Sequence, residues 1–270
     1  MVIIWGQKPY FKRYKVSSYG FCQHCNRFVK RQSFHARTFF HLYYIPFIPT
    51  GAKMRHHQYC PKCQQCLLIP LDEFAQSTEE LKTRAAECVM AIMDGETTVR
   101  FDGMDEAEGI ECVAALAELI DWLHDAGERT FIVELINRLG QAQQSLPHTA
   151  MQAELDRIQG SRREAIERLQ GLMNSHADHG FPPRRVAPLL TLEKRHADAA
   201  EAWNRALAME SDTHARIGLL LMRIEALNAA KQWSEAVKAY DELFAIEDSL
   251  RNDRAIYKSY TKSRKKAGIG

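Results

Sequence analysis

Apolar residues in the first 70 positions fall in short aromatic and β-branched runs. Gly6, Pro9, Gly20, Pro46, Pro49 and Gly51 break them up, a pattern of short strands and turns. From Ser77 the apolar spacing changes to that of helices. Ser77-Thr78-Glu79-Glu80 reads as a capping box opening a helix that runs to about Asp94 and stops at Gly95. Residues 95–109, with three glycines and several acids, read as a loop. Beyond it the pattern predicts nine helices: 110–126, 129–145, 148–159, 162–175, 183–195, 197–210, 213–230, 232–246 and 249–265. Gly127, Gly160 and Gly180 are expected stops. Pro147, Pro182 and Pro183 suit first helical turns, and Ser161-x-x-Glu164 is a second capping box.

These helices carry a repeat. Ala165, Leu169 and Leu172 lie at i, i+4, i+7. Ala199, Trp203 and Ala206 reproduce the spacing 34 residues later, and Ala236, Tyr240 and Leu243 again after 37. A small residue lets the second helix of a pair approach the first closely, and a large one a turn later fills the groove between pairs. The units His196-Ala197-Asp198-Ala199-Ala200-Glu201-Ala202-Trp203 and Trp233-Ser234-Glu235-Ala236-Val237-Lys238-Ala239-Tyr240 resemble tetratricopeptide (TPR) repeats. The first helix of each pair departs from that family's pattern, lacking its glycine and tyrosine, and the turn proline is missing. The resemblance implies an all-α solenoid with a C-terminal capping helix.

Charge divides at the same place as pattern. Residues 1–70 hold 11 of the 36 Lys/Arg and none of the 34 Asp/Glu, together with 14 of the 25 aromatic residues. The other 200 residues therefore carry 25 basic against 34 acidic side chains. The expected organisation is multidomain: a small β zinc ribbon over 1–70, a connecting helix and acidic glycine-containing loop over 71–109, and TPR-like helical repeats over 110–270.

The zinc follows from the cysteines. Cys22-Gln23-His24-Cys25 and Cys60-Pro61-Lys62-Cys63 are paired Cys-x-x-Cys units separated by a strand-rich insert. Each turn aims two sulfurs at one ion, and two turns complete a closed tetrahedral, structural site. Asn26 suits a left-handed position after the first unit; after the second, Gln64 stands where Gly would be easier. Cys66 offers an alternative second knuckle, Cys63-x-x-Cys66, but Pro61 and Tyr59 favour Cys60 with Cys63. His24, His56 and His57 read as solvated or flanking residues, and Cys88 and Cys112 as small hydrophobes on buried helix faces. A redox role for Cys-x-x-Cys would need a βαβ context, which is not predicted here.

Ile3-Ile4-Trp5-Gly6, Cys22-x-x-Cys25, Phe39-Phe40-His41-Leu42-Tyr43-Tyr44-Ile45-Pro46-Phe47-Ile48-Pro49 and Cys60-Pro61-Lys62-Cys63 together resemble a small zinc-ribbon family of undefined role. The resemblance implies one structural zinc and little about activity.

Four thiolates on zinc would leave the ribbon at about +9. Three kinds of partner fit. Protein is favoured, because stacked helical repeats present concave surfaces and the acidic repeats complement the basic ribbon. Nucleic acid is the alternative, through Lys8, Lys12, Arg13 and Lys15 interleaved with Tyr10, Phe11 and Tyr14. An anionic membrane surface is the second alternative, through the apolar run at residues 39–49. That run has 11 residues, short of the ~20 of a spanning helix. An odd cysteine count and no secretory h-region predict a soluble, cytoplasmic protein. No phosphate-cradling glycine loop, His-Glu-x-x-His or nucleophile elbow is present, so no enzyme, catalytic residue or small-molecule substrate is expected. His124, His148 and His176 are expected at the surface or at helix ends.

Overall fold

A computed structural model describes the backbone of residues 5–22, 24–25, 27–42, 45–101, 110–140 and 146–269. Side chains are described over those ranges apart from 5–8, 19–21, 27–28, 41–42 and 45–47. Ile3, Ile4, Asn26, Tyr43, Tyr44, Gly103 and Gly109, and the side chains of Trp5, Lys8, His41, Leu42, Ile45, Pro46 and Phe47, lie outside the described residues. The chain divides into two compact units, Met1–Met151 and Gln152–Gly270.

The first unit opens with an antiparallel meander of β1 (Trp5–Cys22), β2 (Arg27–Leu42), β3 (Ile45–Tyr59) and β4 (Leu67–Pro70), paired in that order. The first three strands have 18, 16 and 15 residues, not the short strands that the prolines suggested. Each of these prolines lies where one side of its strand is unpaired, a position that tolerates a missing N–H. Pro9 is in edge strand β1, and β3 meets β4 only at Met54–His57, leaving Pro46 and Pro49 on an open margin.

Side chains of β3 alternate between two covered faces. His56 stacks on Phe34 at 5.0 Å, and the Lys12 ammonium sits 4.4 Å from the same ring. Across the strand, Arg55 lies over Phe74 and His57 stacks on Trp122 at 4.1 Å. His56 and His57 are therefore buried core residues, not the solvated flank expected from their polarity.

Arg55, 1 % exposed, donates to two backbone carbonyl oxygens. Its Nη1 donates to Tyr14 O at 3.1 Å, and its Nη2 to the carbonyl of Asp125. Asp125 lies in the last turn of α2 (Cys112–Ala126), where carbonyls lack helical partners and the helix dipole favours a cation.

Edge strand β1 carries two register shifts, between Tyr10 and Arg13 and between Arg13 and Val16. In each, a bulky aromatic takes the left-handed position that glycine usually fills: Phe11 at φ 56° and Tyr14 at φ 50°. Each costs about 1–2 kcal/mol in backbone strain.

The remaining helices of this unit are α1 (Leu71–Met93) and α3 (Arg129–Leu139), with α4 (Leu146–Gln159) running across the boundary. α1 begins six residues before the expected cap, and Ser77 and Glu80 lie exposed within it. Pro70 precedes its first turn, a start the fixed φ of proline permits. Gly95 does end it, at φ 83°, with Glu96 N donating to Ala91 O. Within the expected loop, β5 (Thr98–Val99) pairs with β6 (Ile110–Glu111), so Ile110 is in a strand and not a helix.

The second unit continues with α5 (Arg162–Ser175), α6 (Phe181–Leu192), α7 (His196–Ala208), α8 (Thr213–Ala229), α9 (Trp233–Ile246) and α10 (Arg254–Ala267). Among the described residues, nine helices follow residue 110, as the periodicity predicts, with most ends within a few residues. The exceptions are informative. α3 stops at Leu139, and α10 starts at Arg254 because Asp248–Asn252 forms a 3₁₀ turn. Gly180 is the N-cap of α6 and not a stop; Pro182 and Pro183 follow in the first turn. Ser161 occupies the N-cap of α5 without a side-chain capping bond. Each helix from α5 to α10 packs against its neighbour in sequence. The nine residues of the repeat, on α5, α7 and α9, are all buried. The architecture is thus a small antiparallel β domain followed by a helical-repeat solenoid.

Candidate metal centre

Three long antiparallel strands bring the two Cys-x-x-Cys units together. β1 runs out to Cys22, β2 returns from Arg27, and β3 runs out again to Tyr59, paired with Gln32. Both turns therefore fall at one end of the sheet. The second is closed by Gln64 N donating to Cys60 O at 2.8 Å and Cys60 N donating to Gln65 O at 2.9 Å. Gln64 takes φ 62°, the left-handed conformation for which Gly would be easier.

The sulfurs of Cys22, Cys25, Cys60 and Cys63 lie within 4.8 Å of one another. Cys22 Sγ is 3.6 Å from Cys63 Sγ, and Cys25 Sγ is 3.8 Å from Cys60 Sγ. A tetrahedral ion with bonds of about 2.3 Å to sulfur sets its ligands about 3.8 Å apart, so the four atoms fit. Cys22 and Cys60 are buried with Val29, and Cys25 and Cys63 are half-buried against them. None is in a disulfide.

The thiols differ in acidity. Burial pushes the Cys60 thiol up, but backbone N–H groups of Cys63 and Lys62 directed at its sulfur outweigh this and bring it to about 7. Burial and the neighbouring Cys22 and Cys60 sulfurs push Cys25 up to about 12.

Cys66 stands apart from this cluster. Its sulfur is 3.5 Å from His56 Nδ1, and burial pushes its thiol up. His24 is exposed at the first turn. Cys88 and Cys112 are buried, as expected of small hydrophobes. His124 and His148 lie in terminal turns of α2 and α4, and His176 is the C-cap of α5. Sequence reasoning missed Arg55, whose burial was not readable from a run of four polar residues, Arg55-His56-His57-Gln58.

In the second unit, an open cleft of about 640 Å³ is lined by Ser161, Arg162, Arg163, Glu164, Glu193 and Arg195, among others. Its arginines are paired: Arg162 with Glu193 at 3.1 Å, Arg163 with Glu167 at 3.0 Å and Arg195 with Asp198 at 2.7 Å. Among the described residues, no helix is long and apolar enough to cross a membrane.

No family model matches the chain, and no curated protein matches it. Solved structures are similar to it at low identity. A protein of nearly identical TPR-like repeats from Podosopora anserina is 18 % identical, over 59 % of this chain and 89 % of that one, with a TM-score of 0.45. MamA is 15 % identical over 53 % and 76 %, with a TM-score of 0.40. A tetratricopeptide repeat protein from Parabacteroides merdae is 14 % identical over 72 % and 75 %, also at 0.40.

Proposed function

We propose that this chain is a non-enzymatic scaffold in which one structural zinc, held by Cys22, Cys25, Cys60 and Cys63, organises a basic ribbon that is followed in the chain by a helical-repeat region that binds protein partners. The observation carrying the zinc is the separation of the four sulfurs, 3.6 and 3.8 Å across the two turns. Four cysteine ligands complete a zinc coordination sphere and leave no open position for substrate or water, which supports a structural role over a catalytic one. Zinc supplies a cross-link between the two hairpin ends. The chain's own residues do the rest: the amides of Lys62 and Cys63 stabilise the Cys60 thiolate, and the left-handed Gln64 turns the chain so that both sulfurs face inward. Seven free cysteines suit a reducing compartment, supporting a cytoplasmic location.

Protein binding rests on the repeat. Helices of the second unit pack by sequence neighbour and bury Ala165, Ala199 and Ala236, an arrangement that gives extended surfaces suited to other chains. Elemental analysis of purified protein with intact thiols tests the first half, with one zinc per chain expected and none ending the reading. A pull-down from native cytoplasm tests the second. Wild type is compared with Cys22→Ser/Cys25→Ser, which should release partners of the ribbon and keep those of the repeats.

A further inference from the structure

The strained stretch of β1 contributes no ligand to the four-cysteine cluster, yet it is firmly held. Residues Phe11 to Lys15 are all exposed. Phe11 is 67 % and Tyr14 74 % accessible, the two most exposed large apolar residues among those described. Both are in the left-handed region, and strain of this kind persists only where its surroundings enforce it. Here the enforcing group is visible. Arg55, almost wholly buried, donates to the carbonyl of Tyr14 and is anchored in turn on the end of α2. Lys12 points the other way, onto Phe34 and Tyr59, and pins the strand between the two bulges. The Phe11 ring meets Phe39 edge-on at 5.3 Å and the Tyr14 ring leans on His35 at 5.1 Å, so each has one side supported while most of its surface is open.

Between and beside the rings stand Arg13 and Lys15, both exposed, in a segment with no Asp or Glu before residue 72. Tandem bulges thus spend backbone strain to hold two aromatic rings and two cations outward within five residues. Flat rings alternating with cations match one partner chemistry closely: unpaired bases, which stack on rings, joined by phosphates, which pair with the cations. A membrane surface fits less well, because Lys12, Arg13 and Lys15, all exposed, flank the two rings with charge. An acidic peptide would use the cations and leave the rings without a stacking partner.

We propose that Phe11 and Tyr14, with Arg13 and Lys15, form a stacking platform for single-stranded nucleic acid. The rings contribute base stacking without sequence preference. The cations add a salt-dependent term of slope about −0.7 per phosphate contacted.

The test compares the full-length, zinc-loaded protein on fluorescent U12 and on an abasic 12-mer with the same phosphates. The readout is the ratio of the two affinities at fixed salt. Wild type should favour U12 at least about tenfold, the range expected of one or two stacked bases. Phe11→Gly/Tyr14→Gly should bring the ratio near one. Because glycine relieves the left-handed strain, that variant should melt no lower than wild type. Phe11→Trp/Tyr14→Trp keeps rings at both positions and should keep the ratio. A wild-type ratio near one overturns the platform, as does a ratio that survives in the glycine variant or is lost in the tryptophan one. Tighter binding to phosphatidylserine vesicles than to U12 at the same salt overturns it in favour of a membrane surface.

Discussion

The interiors of the two units are built from different materials. In Gln152–Gly270, most buried positions are Ala, Leu, Ile, Val, Trp and Phe at helical spacing. Glu154 is the buried acid, wholly enclosed, and it is answered by Arg157 at 2.7 Å and by both nitrogens of the Arg185 fork at 2.6 and 2.7 Å. In Met1–Met151, the sheet buries Arg55, His56 and His57 in succession, strains two aromatics, and gathers four thiols at one end. A helical repeat satisfies its backbone locally and needs only complementary side chains between neighbours. A long meander of few strands has little apolar interior, so it depends on ligation, stacked rings and buried polar contacts. The comparison teaches that the first unit should be sensitive to metal and pH, and the second to packing.

The largest test removes a ligand of the proposed zinc. Cys60→Ser should cost the ribbon on the order of the 10–16 kcal/mol that structural zinc contributes to small folds. Far-UV circular dichroism should lose the strand signal and keep the helical one from the second unit. Loss of both together would mean that the two units do not differ in this way.

Breaking the buried ion cluster comes next. Glu154→Ala leaves Arg185 and Arg157 without their carboxylate and should destabilise the second unit by about 3–5 kcal/mol. Protection of α6 amides from hydrogen exchange should fall accordingly, while amides of the β1–β4 sheet keep theirs. An effect under about 1 kcal/mol would show that the cluster is solvated in practice.

The pH test is of similar size and acts on the first unit. Burial, with Arg55 and Arg31 nearby, lowers His57 from 6.5 to about 4. The folded state therefore binds fewer protons than the unfolded state between those values. Stability is full above about 6.5 and falls by about 3 kcal/mol as pH drops toward 4. Hydrogen exchange of residues 53–60 should show this slope, and His57→Phe, which keeps a ring over Trp122, should reduce it, leaving the part due to His35 and His56, which burial also lowers. Comparing the two separates His57 from Asp125, whose carboxyl is raised by burial and titrates with the opposite sign. An unchanged slope in the variant would remove His57 from the account.

The smallest test sharpens the helical side. Asp253 Oδ1 accepts from Ala255 N at 2.7 Å and Ile256 N at 3.0 Å, capping α10. Asp253→Ala should cost about 1 kcal/mol, read as faster exchange in the first turn of α10 alone. Fraying beyond that turn would mean that the cap supports more of the repeat than α10.

Much of this was legible beforehand, for reasons that differ by region. Ala199, Trp203 and Ala206 could be placed in a helix interface because helical burial follows a local period. Cys22, Cys25, Cys60 and Cys63 could be singled out as one candidate site because each turn is a four-residue unit whose chemistry is written in its spacing. Gln64 could be suspected of a left-handed conformation because the turn requires one. The Ser77 cap was misplaced because helix starts compete: Pro70 and the end of β4 set the first turn earlier, and a capping pair inside a helix simply becomes two exposed side chains.

What the sequence determined by itself is therefore local: the helical periods, the repeat, the paired cysteine turns and the segregation of charge. The tertiary structure alone decided that Arg55, His56 and His57 are interior, that Cys66 stands with His56 away from the other sulfurs, and that Phe11 and Tyr14 are held strained and open. The reason is that strand register and the packing of β3 against α1 and α2 join residues 40 to 70 positions apart. No local pattern records which polar side chain will find a carbonyl that distant.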